Sequence, residues 1–182
     1  MDKYKELTSK GKDEYLKALE KIGWFEFSNN SKEVIQKKLN EIAENERFVF
    51  CLYDLSFDAE GFEDDYSYKS LLNEIFKIIG LKDYKINVEY NKENNLQIAI
   101  ETKTNVYEYC VDLNETGDWV DESLIDGYIR NILVEEKTNK GLFPIPPEDQ
   151  TAVFIYISES IYNSAVENGI IPSELGYFME ME

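Results

Sequence analysis

Apolar positions along the chain alternate between two spacings, and the spacing sets the elements. Residues 3–22 read as helical: Leu16, Leu19 and Ile22 fall on one stripe, and Gly11 separates a first short helix from a second. The aromatic run Trp24–Phe27 reads as either a strand or a packing elbow. Asn30-Ser31-Lys32-Glu33 then looks like a capped helix start, followed by Val34, Ile35, Leu39 and Ile42 at helical spacing. Residues 47–55 (RFVFCLYDL) are apolar on both faces, which predicts a central strand covered on both sides. Leu71, Leu72, Ile75, Phe76 and Ile79 make a helix that stops at Gly80.

The spacing then changes to two. Ile86, Val88 and Tyr90 alternate with polar residues, 91–95 turns, and Leu96, Ile98 and Ile100 alternate on the way back. A second turn near Thr104-Asn105 leads into Tyr107, Tyr109, Val111 and Leu113. One face of this meander is buried and the other is wet or faces a partner. Asp118 or Asp121 starts a helix with Leu124, Ile125, Tyr128, Ile129, Ile132 and Leu133 on one side. Three prolines in 141–147 (GLFPIPP) argue against any regular element there. Residues 152–157 (AVFIYI) form a second fully apolar strand, Ser158 caps a helix to Gly169, and Pro172-Ser173 opens a terminal turn or helix. The order predicts an α+β fold, a mainly antiparallel sheet of about five strands with helices packed on one face. With no repeat, low-complexity tract or long linker, the chain is expected to be a single domain, 1–182, with a helical part (1–46) and a sheet-containing body (47–182).

Charge sharpens this division. The formal net charge is −18, yet residues 1–47 hold 10 Lys/Arg and 10 Asp/Glu, which cancel. Residues 48–182 hold 9 basic and 27 acidic groups, so that 9 − 27 = −18 falls on the body alone. Such a field repels nucleic acid and anionic membranes, and it attracts a basic protein surface. Acidity serving solubility alone is the competing explanation.

With no histidine and no CxxC, the chain lacks the residues for a Ser-His-Asp or Cys-His site and for His- or Cys-rich metal sites. Carboxylate chemistry survives, but no spacing singles out a glycosidase pair and no Gly-rich phosphate loop is present. The expectation is a binding protein, not an enzyme, with no cofactor. The start lacks an apolar stretch behind its charges, and no apolar run approaches the roughly 18–20 residues needed to span a bilayer. Both features point to the cytoplasm. Cys51 and Cys110 lie in strand-like runs and are expected to be two buried thiols, with a bridge as the alternative.

Two stretches are candidates for contact. Residues 54–65 (DLSFDAEGFEDD) place Asp54, Asp58, Glu60, Glu63, Asp64 and Asp65 at and beyond a strand end, with Phe57, Phe62, Tyr66 and Tyr68 interleaved. Three readings compete: a calcium loop that lacks the EF-hand ligand order, a solvated loop capping the next helix, or an acidic and aromatic contact surface. Residues 112–122 (DLNETGDWVDE) place Asp118, Asp121 and Glu122 around Trp119. They read as a helix start, or as a second contact stretch if Trp119 is exposed.

The order Asp118-Trp119-Val120-Asp121, a helix through Ile132-Leu133, Gly141-Leu142-Phe143, then Asp149-Gln150-Thr151 leading into AVFIYI and a capped helix resembles immunity proteins of bacterial polymorphic toxin systems. The resemblance covers about a third of the chain and carries no site residue by residue. It implies a cytoplasmic α+β inhibitor that neutralises a basic, nuclease-like toxin by occluding its active site. The runner-up is a phage-type anti-defence protein that mimics DNA and blocks a restriction or CRISPR nuclease, which would need carboxylates in phosphate-like rows.

Overall fold

The computed structural model describes residues 2–43, 47–91, 95–145 and 150–173. Predictions for the turn at 92–94, the loop at 146–149 and a helix beyond 173 lie outside the described residues. In chain order the helices α1 (Lys3–Thr8), α2 (Lys12–Lys21), α3 (Trp24–Phe27) and α4 (Lys32–Glu41) lead to a 3-10 turn (Phe48–Leu52) and strand β1 (Leu55–Asp58). Helix α5 (Asp65–Ile79) precedes the meander β2 (Lys85–Tyr90), β3 (Asn95–Glu101) and β4 (Val106–Asp112). A short helix α6 (Leu113–Thr116), a π-helical stretch (Leu124–Ile129) and α7 (Arg130–Glu135) follow. Strands β5 (Gly141–Ile145) and β6 (Thr151–Ile157) and helix α8 (Glu159–Glu167) complete the series.

The chain is α+β, as its periodicity predicts, but its described strands form two three-stranded sheets, ordered β1-β6-β5 and β2-β3-β4, not one sheet of about five. The physical reason lies in the burial patterns. Val153 to Ile157 of β6 are buried at every position, so both faces are covered. The meander strands instead bury alternate residues (Ile86, Val88; Leu96, Ile98, Ile100) and leave the others to solvent.

The division into compact units follows the same line. One unit comprises 1–56 with 139–182, and the other comprises 57–138. The N-terminal helices share a unit with β5, β6 and α8.

In the first unit, Trp24, Tyr15, Leu19, Ile35, Leu39, Leu52, Ile155 and Ile157 form one core. The two ends of the sequence meet there: Tyr15 donates its hydroxyl to the carbonyl of Ile170 at 2.9 Å, and Lys3 Nζ reaches the carbonyl of Glu167 at 2.8 Å. Gly169, at φ +72°, lets α8 end against the N-terminal helix, since a Cβ there would lie 2.6 Å from the Lys3 backbone. The predicted strand at 47–55 is instead the 3-10 turn followed by β1. A short apolar run serves a buried turn as well as a strand, and here Val49 N–H donates to Tyr4 Oη at 3.1 Å. The proline-rich stretch, expected to carry no regular element, forms β5. The strand tolerates Pro144 because it sits at the edge of its sheet. Trp24–Phe27, left between strand and elbow by its sequence, is a short helix with Trp24 buried.

In the second unit, α5 buries Tyr68, Leu71, Leu72, Ile75 and Phe76 and packs on β2. It ends as predicted at Gly80, whose N–H closes the last turn on Phe76 O. Leu124, Ile125, Ile129, Ile132 and Leu133 are buried as their spacing predicts, although the first part of that helix is π-wound. Neither cysteine is in a disulfide. Cys51 is buried, and burial pushes its thiol up to about 12. Cys110, expected to be buried, is exposed on the open face of β4, where Gln97 Nε2 lies 3.0 Å from its sulfur. No helix among the described residues is long and apolar enough to cross a membrane.

Candidate partner-binding face

Two stretches far apart in sequence are stitched side by side within the 57–138 unit. Glu60 and Trp119 form an antiparallel β-bridge. On either side of it, the N–H of Phe62 donates to the carbonyl of Asp118 at 2.8 Å, and the N–H of Val120 donates to the carbonyl of Ala59 at 2.9 Å. This short ladder joins the two candidate contact stretches into one surface.

Composition makes that surface electrostatically one-sided. Residues 57–68 hold five carboxylates and 104–129 hold seven, and neither segment contains a Lys or Arg. Asp58, Glu63, Asp64, Asp65, Asp118 and Glu122 are exposed, and among the described residues no Lys or Arg pairs with any of them. Like charges held close by fixed backbone raise the local negative potential, most strongly at low ionic strength.

Each side chain is placed by a local device. Asp64 caps α5, accepting the N–H of Ser67 at 2.7 Å; that bond holds its carboxyl below the usual carboxylate range. The cap orients the first turn, where Asp65 and Tyr66 project, and Tyr66 is 76% exposed. Asp58 accepts the N–H of Glu60 at 3.0 Å, which fixes the loop as it enters the ladder. Trp119, held by the ladder, is 45% exposed. Phe62 from the same loop is buried instead, edge-on to Phe57 and Tyr68 with centroids 5.7 and 5.2 Å away. Its ring therefore packs inward and is not presented at the surface as Trp119 is.

Two more of the candidate residues serve the scaffold. Asp121 is half-buried. Its carboxylate accepts Tyr109 Oη–H at 2.8 Å and the N–H of Ser123 at 2.9 Å, while its own N–H donates to Tyr68 Oη at 3.2 Å. Burial, reinforced by that carboxylate, pushes the Tyr109 phenol up to about 12. Asp54 lies in the other unit. It accepts the N–H of Tyr156 at 2.8 Å and the side-chain amide of Asn30 at 2.8 Å, and burial raises its carboxyl above the usual range. The helix expected to start at Asp118 or Asp121 starts after Asp121, whose carboxylate accepts the N–H of Ser123 and whose carbonyl accepts that of Leu124. Ahead of it Asp112 caps the separate short helix α6 and Gly117 turns the chain out at φ +62°, and the winding becomes π-helical over Leu124–Ile129.

Tyr90, at the end of β2, was not singled out by sequence. It is 51% exposed, and its hydroxyl donates to the carbonyl of Glu63 at 2.5 Å. Desolvation and then Asp64, Asp65 and Glu63 raise its phenol above the usual value, which places it within the acidic field. Its position beside a turn, where the alternating pattern runs out, was the signal available. Among the described residues, no group of three or more His, Cys, Asp or Glu side chains is disposed to hold a metal ion.

Compared with protein-family models, curated proteins and solved structures, the chain matches none. Its functional reading therefore rests on the geometry of this face.

Proposed function

We propose that this protein is an inhibitory binding protein, an immunity protein that neutralises a basic, nuclease-like toxin by covering its active site with the acidic face of the 57–138 unit. The observation that carries this reading is the ladder at Glu60 and Trp119, which joins two base-free acidic stretches beside an exposed tryptophan, in a unit where Tyr66 and Tyr90 are exposed as well. A nuclease site is basic because it binds phosphate, and fixed carboxylates can occupy it by substituting for substrate charge. Trp119, Tyr66 and Tyr90 supply the large, rigid contact area that concentrates binding energy at interfaces. Clustering of the carboxylates around aromatics favours a local plug over the phosphate-like rows that a DNA mimic needs.

The test compares the native chain with a charge-swapped chain carrying Asp58→Lys, Glu63→Lys, Asp118→Lys and Glu122→Lys. Each is used to capture proteins from the host at low salt, with elution by high salt. The expected result is a basic toxin domain that the native chain retains and inhibits, and that the swapped chain loses. Equal retention by both chains removes the face from the contact. Recovery of a restriction or CRISPR effector in its place replaces the immunity reading with an anti-defence one.

A further inference from the structure

Strand β4 is an edge, and the ladder shows which of its backbone groups face outward. Thr102 N–H donates to Asn105 O at 2.9 Å at the head of the β3–β4 hairpin, so bonded pairs recur at Ile100↔Tyr107, Ile98↔Tyr109 and Leu96↔Val111. The N–H and C=O groups of Val106, Glu108 and Cys110 therefore point away from β3. Among the described residues none of these groups has a backbone partner. All three residues are exposed, Val106 at 65%.

Edges are ordinarily blunted by proline, lysine or a bulge. Edge strand β5 carries Pro144, and β2, the other edge of the meander sheet, begins with Lys85 and packs against α5. By contrast β4 spans seven residues with neither proline nor lysine.

We infer that the β4 edge receives an extended, basic segment of the protein partner by strand addition, with a Lys or Arg opposite Glu108 and apolar residues beside it. The inference rests on the binding role proposed above and names how the partner is held. Backbone bonds to Val106, Glu108 and Cys110 supply the pairing, and the base-free stretch 104–129 supplies the sign of charge. A second copy of this chain fits poorly. Antiparallel self-pairing about Glu108 sets the two Glu108 carboxylates opposite each other, between chains that each carry −18.

The experiment uses the full chain and a short peptide alternating Lys with Val, alongside the same peptide N-methylated on its backbone. Binding is read by amide hydrogen exchange and by titration. The unmodified peptide is expected to slow exchange at Val106, Glu108 and Cys110, and the methylated one is not. Glu108→Pro removes an outward N–H without touching the β3 ladder, and it should weaken binding about tenfold. Retained protection of Tyr107 and Tyr109 shows that the strand still forms. Glu108→Lys, which keeps the backbone intact, should also weaken binding.

Peptide protection at other amides overturns the inference, as does unchanged affinity in Glu108→Pro, or a concentration-dependent dimer paired through β4. The two proposals fail separately. If a captured toxin is inhibited equally by the native chain and by Glu108→Pro, strand addition falls and the immunity reading stands. If β4 pairs with the basic peptide but the host yields no basic partner, the immunity reading falls.

Discussion

Trp24, in the unit formed by 1–56 and 139–182, is fully buried in a core with Tyr15, Leu19, Ile35 and Ile155, whereas Trp119, in the 57–138 unit, is 45% exposed next to Asp118. Aspartates differ between the units in the same way. Asp54 in the first has both oxygens engaged, by a strand N–H and a side-chain amide, while Asp118 in the second lies open next to Trp119. Charge balance follows. The first unit holds 11 basic and 18 acidic residues (11 − 18 = −7), with helix-surface pairs such as Lys10–Glu6 and Lys17–Glu14; the second holds 8 and 19 (8 − 19 = −11), and its Lys85–Glu101 and Lys103–Asp83 pairs do not involve the face. Asp54 is thus held within the fold by a strand N–H and a side-chain amide, whereas Asp118 and Trp119 are left to solvent, where the proposed partner would meet them.

The two tryptophans give the sharpest way to break this contrast. Trp24→Ala should cost about 3–5 kcal/mol of stability in denaturant unfolding, from lost burial and the cavity left behind. Trp119→Ala should cost less than about 1 kcal/mol of stability, yet lower affinity for the partner by about 2 kcal/mol or more. A large stability loss at Trp119 would make it a core residue and remove the anchor.

A smaller effect is expected from the aspartates. Asp54→Ala strands the Tyr156 N–H and the Asn30 amide, so it should destabilise by about 1–3 kcal/mol. Asp118→Ala should change stability by less than about 0.5 kcal/mol while weakening partner binding, and chemical denaturation of the two variants side by side decides.

The smallest effect is pH dependence, and its sign differs between individual carboxylates. Asp64, held down chiefly by the Ser67 N–H, and Glu136, held down chiefly by the Thr102 hydroxyl at 2.7 Å, have folded-state pKa values below their unfolded ones. Their contributions are fully present above the unfolded values near about 4 and are lost as pH falls through the folded ones. Asp54 is raised by burial, so its contribution runs the other way, falling as pH rises from the unfolded value to the folded one. Amide exchange on acidification below about pH 4 should therefore loosen the start of α5 and the Thr102–Asn105 turn before the strand around Tyr156. Simultaneous loosening of both would show that these local bonds do not govern the acid response.

The local layer of this molecule was readable from its residues. Alternation in 86–100 marked the meander, Leu71, Leu72, Ile75 and Phe76 marked α5, Gly80 marked its end, and the unbroken apolar run in 152–157 marked a strand covered on both sides. These follow from side-chain direction and capping, which depend on neighbours a few positions away. The acidic character of both contact stretches was equally plain, because charge is a property of composition.

Tertiary structure decided the rest. Whether 48–52 would extend or turn depended on Tyr4 meeting the Val49 N–H, and whether Pro144 could sit in a strand depended on β5 being an edge. Separate sheets depended on which strands pair, which no local pattern encodes. The face itself rests on Glu60 finding Trp119, and the removal of Asp54 and Phe62 from it rests on Tyr156, Phe57 and Tyr68. Pairings across tens of residues are set by packing of the completed core, so sequence supplied the carboxylates and aromatics while the fold determined which of them meet.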